Sequence, residues 1–165
     1  MAQKVIINSN QCALVAKCLR PLRFRPEHFK RPFLTFAADP ETKLRVYLYI
    51  SAICHQTHSL INKRQNLKGW NYLEDVFAQL GQDNSPLLKP EIIANFSSAE
   101  LSCKLRPLFA EDGNPKNCTL DRLDKRSTLL IQTAKTLNAK YSGQVKNLLQ
   151  ISNGFLKNNK TGLYY

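Results

Sequence analysis

The 165-residue chain is long enough to bury a core of its own and sits at the size of one domain. Its hydrophobic (43%) and charged (22%) fractions are ordinary, but 24 Lys and Arg against 12 Asp and Glu leave a net charge of +12, which favours polyanionic partners such as nucleic acid, nucleotides or anionic lipid. Five cysteines, an odd number without a CxxC pair, argue against a disulfide scaffold or a zinc knuckle, and no run reaches membrane-spanning length or forms a signal-peptide core. A soluble intracellular protein, cytoplasmic or nuclear and without a membrane partner, is the expectation.

Val5, Ile6 and Ile7 form an apolar triplet that suits a short strand or an anchored terminus equally well. Ala13, Leu14 and Cys18 mark a short helix over 10–19, closed before Pro21. Then comes RPLRFRPEHFKRP, in which Arg20, Arg23, Arg25, Lys30 and Arg31 alternate with Phe24, Phe29 and three prolines, the start of an extended basic and aromatic arm over 20–36. Cations between aromatic rings suit a stretch where phosphates are neutralised and bases stacked. A connecting arm pinned by its phenylalanines has the same composition.

Residues 39–64 carry the longest helical pattern. Asp39 can cap it, Pro40 suits the first turn, Glu41 matches the positive end of the dipole, and Lys63 and Arg64 match the negative end. Leu44, Val46, Leu48, Ile50, Ile53 and Leu60 leave only a narrow polar strip, so this reads as a central, covered helix with His55 and His58 inside it. Residues 65–69 make a turn, and Trp70, Leu73, Val76, Phe77 and Leu80 repeat as an amphipathic helix that Gly81 ends.

Pro86 and Pro90 break the next segment around a short turn at Ile92 and Ile93, and Ser97 with Glu100 offers a capping box for a two-turn helix ending before Pro107. After the turn at 112–115, Thr119 is placed to cap a second long helix, whose stripe runs Leu123, Ser127, Leu130, Ala134, Leu137, Tyr141 until Gly143. Asp121 and Asp124 near its start and Lys135 and Lys140 near its end match its dipole. Val145, Leu148 and Leu149 begin a last short helix closed by Gly154. With no repeat, no low-complexity run and no convincing alternating strand, the class is all-α, an irregular multi-helix domain over 1–165 with two long core helices.

Candidate chemistry is sparse. His55 and His58, at i and i+3, share a helix face and could hold one ion, but that helix has no carboxylate beside them and there is no HExxH pattern; no metal or other cofactor is expected. A polar strip facing a small-molecule pocket, or histidines satisfied within the core, fits better. Phosphate-loop and nucleophile-elbow patterns are missing, and Cys54 and Cys103 default to small buried hydrophobes.

Three segments carry a likeness: GWNYL opening one helix, LLKPEIIANFSSAELSCKLR as a turn and a capped helix, and LDKRSTLLIQTAKTLNAKYSGQVKNLLQISNG with Asp124, Arg126, Tyr141, Gly143, Asn147 and Leu148 at the marked places. Their order resembles the queuosine salvage family, nucleotide N-glycosylases whose fold is similar to helical DNA glycosylases. The resemblance implies hydrolysis of an N-glycosidic bond in a modified nucleoside or its monophosphate, with Trp70 and Tyr72 stacking a deazapurine-like base and Arg126 as a structural or phosphate-facing group. It covers roughly half of the chain and implies an amino-terminal portion of the family's length, with the family's catalytic carboxylate beyond Tyr165; the apolar ending points the same way. The rival expectation is a basic helical module without catalysis that binds RNA or DNA through the arm, and the plainest one a helical interaction domain without a ligand.

Overall fold

The computed structural model describes residues 8–19 and 35–153, and the chain divides into two compact units, Met1–Arg31 and Pro32–Tyr165. In the first, helix α1 (Ser9–Leu19) is capped by Asn8, whose Oδ1 accepts from the backbone N–H groups of Asn10 and Gln11 at 3.1 Å each. Every residue of α1 is exposed, Leu14, Val15 and Leu19 included. The apolar triplet at 5–7, the arm through residue 34 and Gly154 lie outside the described residues. Phe36, the last residue of the expected arm, is buried in the core.

Among its described residues the second unit is all-α apart from one two-stranded hairpin and an isolated bridge between Ala110 and Cys118. Its elements are α2 (Pro40–Ile53), β1 (Ile61–Asn62), β2 (Leu67–Lys68), α3 (Trp70–Gln82), α4 (Pro90–Ile93), α5 (Ser98–Leu105), α6 (Leu123–Tyr141) and α7 (Val145–Ile151). Short 3-10 turns at Pro86–Leu88, Arg106–Phe109 and Pro115–Asn117 join them. The strands are antiparallel, with Ile61 opposite Lys68 and Asn62 opposite Leu67. Helix α6 packs against α5, α4 and α2, and α2 packs against α3, enclosing Tyr49, Ile53, Leu73, Phe77, Leu101, Leu105, Phe109 and Leu130. None of the described helices is long and apolar enough to cross a membrane.

The start of α2 is as expected: Asp39 accepts from the N–H groups of Glu41 (2.9 Å) and Thr42 (3.1 Å) and from the Thr42 hydroxyl. Its end is not. The helix stops at Ile53, the chain turns through 54–60, and Lys63 and Arg64 sit on the hairpin instead of the last helical turn. The segment CHQTHS that follows Ile53 is poor in strong helix formers, so local propensity does little to carry the helix further. The carbonyls at the new end are taken up by a side chain from α6.

Two more boundaries move for physical reasons. Thr119 does not cap α6; its hydroxyl receives the Ile61 N–H at 3.2 Å and lies against the Ile61 and Phe109 carbonyls, while α6 begins at Leu123 after Arg122 in the left-handed region (φ 49°). Gly81 does not end α3 but lies within it, packed where an added Cβ would stand 2.6 Å from the Phe36 ring. The Ser97 and Glu100 capping box forms as expected, with Ser97 Oγ receiving the Glu100 N–H at 3.2 Å and Glu100 receiving the Ser97 N–H at 2.7 Å. On α6 the expected stripe is buried from Leu123 through Leu137, with Arg126 and Ile131 added to it.

The Gly81 contact yields a test. Gly81→Ala adds about 1 kcal/mol of helix propensity but forces a methyl into the Phe36 ring at an overpacking cost of about 1–3 kcal/mol. A lower melting temperature is expected, and Phe36→Leu in the same background should recover part of the loss.

Candidate functional site

Arg126 is the largest fully buried side chain among the described residues, and it lies one turn into α6 facing the end of α2. Its Nη1 donates to the Ile53 and His55 carbonyls (2.8 Å to His55), its Nη2 to the Gln56 carbonyl (3.2 Å) and Asp121 Oδ1 (2.7 Å), and its Nε to the Asp121 carbonyl (2.9 Å). A guanidinium has five N–H donors, and all five are used. The cation thus meets the carbonyl groups that the end of α2 leaves without helical partners, at the negative end of that helix's dipole. Arg126 is expected as a structural or a phosphate-facing group, and with all its N–H groups on protein acceptors none remains for a phosphate.

What the clamp holds is the turn carrying the histidines. His55, Gln56 and His58 are exposed, so they lie in solvent-facing turns beyond α2 and not on a buried helical strip. Gln56 adopts φ 51°, a left-handed conformation that a non-glycine residue keeps only when its surroundings enforce it. On the other side of the turn, Gly69 at the start of α3 donates its N–H to the Leu60 carbonyl at 2.7 Å, and a Cβ on Gly69 would reach 3.4 Å from the Thr57 carbonyl oxygen. The loop is therefore gripped from below by α6 and from the side by α3.

Asp121 completes this face. The Arg126 hydrogen bond holds its carboxyl below the usual carboxylate range against the opposing effect of its partial burial, and the charges of Arg126, Arg122 and His58 add smaller pulls in the same direction. Sequence reading placed Asp121 near a helix start and assigned it no site role; its spatial link to His58 depends on two segments more than sixty residues apart. Among the described residues no three His, Cys, Asp or Glu side chains gather as a metal site requires.

Next to the loop lies a cavity of about 370 Å³, lined by Ser59, Ile61, Lys63, Arg64, Glu111, Asp112, Asn117 and Thr119. Its acidic groups are engaged internally. Glu111 receives the Lys63 N–H at 3.0 Å and pairs with Arg64 at 3.2 Å, while Asp112 receives the Asn114 N–H at 2.9 Å and the Asn117 amide at 2.8 Å. The Lys63 ammonium has no ion-pair partner among the described residues.

Trp70 and Tyr72 do not line this cavity. Trp70 is half-buried against the core, its indole N–H buried without an acceptor, and Tyr72 is buried with its hydroxyl 3.3 Å from the Leu108 carbonyl. Tyr72 instead walls a separate polar cleft of about 280 Å³ with Asn62, Gln65, Asp75 and Gln79, where burial pushes the Asp75 carboxyl up. The five candidates thus divide: His55, His58 and Arg126 meet at one loop, Trp70 begins the helix beside it, and Tyr72 belongs to another cleft. Arg20, Arg23, Arg25, Lys30 and Arg31 lie outside the described residues.

The clamp predicts a stability signature. Arg126→Met strands buried carbonyls and the Asp121 carboxylate, at a cost of about 3–5 kcal/mol, read in urea unfolding. Because the folded carboxyl is held low, the contribution of Asp121 is complete above the ordinary carboxylate pKa of about 4 and disappears as the pH falls through the lower folded value. The stability gap between the parent chain and Asp121→Asn should be largest at neutral pH and close in acid. No family model, curated protein or solved structure matches the chain.

Proposed function

We propose that the chain recognises a nucleoside or nucleoside monophosphate at the clamped His55 to His58 loop and the adjoining cavity, in the service of N-glycosidic bond hydrolysis on a helical-glycosylase-like scaffold. One observation carries the reading: a fully buried arginine joins the end of α2 and the Asp121 carboxylate to the His55 and Gln56 carbonyls, fixing an exposed loop that bears two histidines and a strained glutamine beside an ionised carboxylate. Interior hydrogen bonds that hold polar side chains out to solvent in a costly conformation serve ligand positioning better than they serve packing. A cavity of about 370 Å³ falls within the range of small-ligand sites, and Lys63 at its rim offers a cation to a phosphate.

Cleaving an N-glycosidic bond builds positive charge on the sugar and negative charge on the departing base. His58 is the donor that this face offers to the base, and Asp121, whose carboxylate feels the His58 charge and whose Oδ2 lies 4.0 Å from Arg122 Nε, is the negative group beside it. The test is a panel of purine, pyrimidine and deazapurine nucleosides and their 5′-monophosphates, with free base measured by chromatography and binding by melting temperature. A substrate at about 100 times its dissociation constant should stabilise the protein by roughly 2.7 kcal/mol. His58→Ala should lower base release by about 100-fold while leaving the unliganded melting temperature nearly unchanged. Neither release nor stabilisation with any member of the panel would refute the reading.

A second reading, binding to RNA or DNA without catalysis, has its own observation. Between 35 and 153 the chain holds 15 Lys and Arg against 11 Asp and Glu, leaving 9 against 1 in the rest, so most of the excess charge lies outside the helical body. Strongly basic flanking segments suit phosphate contacts. Under this reading, affinity for a single-stranded oligonucleotide falls steeply with added salt, and Arg23→Ala, Arg25→Ala and Arg31→Ala together flatten that slope by about three ions. Unchanged affinity in both experiments would exclude it.

A further inference from the structure

Away from the loop, α2, α6 and α7 leave an open groove of about 340 Å³ lined by Leu48, Leu129, Thr133, Leu137, Tyr141 and Leu148 among others. Leu129, in this lining, is 36% exposed. Along α6, Lys125, Leu129, Gln132, Thr136 and Lys140 succeed one another at i, i+4, i+7, i+11 and i+15, which puts them on one side of the helix, and each is exposed. Lys146 is exposed in the first turn of α7.

On α2, Glu41 is engaged by the start of α7. Glu41 receives the N–H groups of Val145 (2.6 Å) and Lys146 (3.1 Å) and pairs with Arg45 at 3.5 Å. The groove therefore combines an apolar floor with exposed Lys125 and Lys140, which stand four residues before Leu129 and four after Thr136 on the groove side of α6.

We infer that this groove is a docking surface for an acidic amphipathic helix of a partner protein. An amphipathic helix meets a groove through apolar anchors at i, i+3 or i+4, and i+7, and the volume here admits roughly two or three such side chains. The lysines choose the charge of the flanking positions, since a basic helix would be repelled and an acidic one steered in. The apolar floor favours a helix over a nucleic-acid backbone, which offers phosphates to the lysines but nothing to Leu48, Leu137 and Leu148.

The full chain is titrated into a fluorescein-labelled 18-residue peptide with leucines at i, i+4, i+7 and i+11 and glutamates on the other faces, and fluorescence anisotropy is read. A scrambled peptide of equal composition and a labelled single-stranded oligonucleotide serve as comparisons. The expected result is binding of the patterned peptide at least tenfold tighter than the scrambled one. Affinity should fall at least tenfold in Leu129→Asp and about threefold in Lys125→Glu/Lys140→Glu. Leu129 is on the surface, so a melting temperature near that of the parent chain certifies the fold, and Leu148→Glu gives a second reading of the groove floor. Equal binding of both peptides, absence of binding, or affinity indifferent to Leu129→Asp and Leu148→Glu overturns the proposal. So does an oligonucleotide that displaces the peptide and depends on the lysines alone, or a concentration-dependent doubling of mass that Leu129→Asp abolishes, which would make a second copy the occupant.

Discussion

A guanidinium with no solvent contact needs acceptors for all its hydrogens, and Arg126 finds them in the last carbonyl of α2, two carbonyls of the turn that follows, and the backbone and carboxylate of Asp121. The arrangement reaches well beyond one ion pair. It sets where α2 ends, it fixes the turn that carries His55 and His58, and it brackets the start of α6, where Arg122 is left-handed. A lysine could not do the same, because a single ammonium lacks the planar fork that spans carbonyls from two segments. The charge is tolerated inside because the helix dipole and the carboxylate both oppose it.

Around that point the helices approach closely through small polar residues. Ser102 on α5 donates to Ser127 on α6 at 2.9 Å within the core, and Ser98 donates to the Asp124 carbonyl at 2.6 Å. These hydroxyls occupy positions where larger side chains would push the two helices apart, and each has its hydrogen-bond partner, so burial costs little. The α6 stripe was legible because it repeats over many turns; what it could not disclose was that Arg126 belongs to the buried face. A charged residue within an apolar periodicity reads as a surface position until its acceptors are known, and those lie in another helix.

The sequence was most informative where the signal is local. The Asp39 cap, the Ser97 and Glu100 box and the apolar spacing of α3 each depend on residues a few positions apart. The end of α2 is not legible locally, because Lys63 and Arg64 mimic a dipole-matched terminus while the carbonyl at the actual terminus is met by a side chain from α6. Thr119 resembled a cap for the same reason: its hydroxyl serves Ile61 and Phe109, which no local pattern reveals. Of the site, the histidines stand out in sequence by type and Arg126 only through the family resemblance, whereas Asp121 and the cavity beside Ser59 emerge only when the 54–60 turn and the 119–122 segment lie side by side.

The partners of Arg126 in α2 and the following turn are 70 to 73 residues earlier in the chain. During synthesis, α2 leaves the ribosome long before the side chain that will terminate it exists, so until position 126 has emerged its last carbonyls have only water for company. The loop with the histidines is thus among the last features to become fixed, after the slow closure of a long chain segment and not with the local helices. A nascent or truncated chain that stops short of α6 would lack both the side chain that closes α2 and a helix that α2 packs on, and would present its histidines on an unconstrained tether.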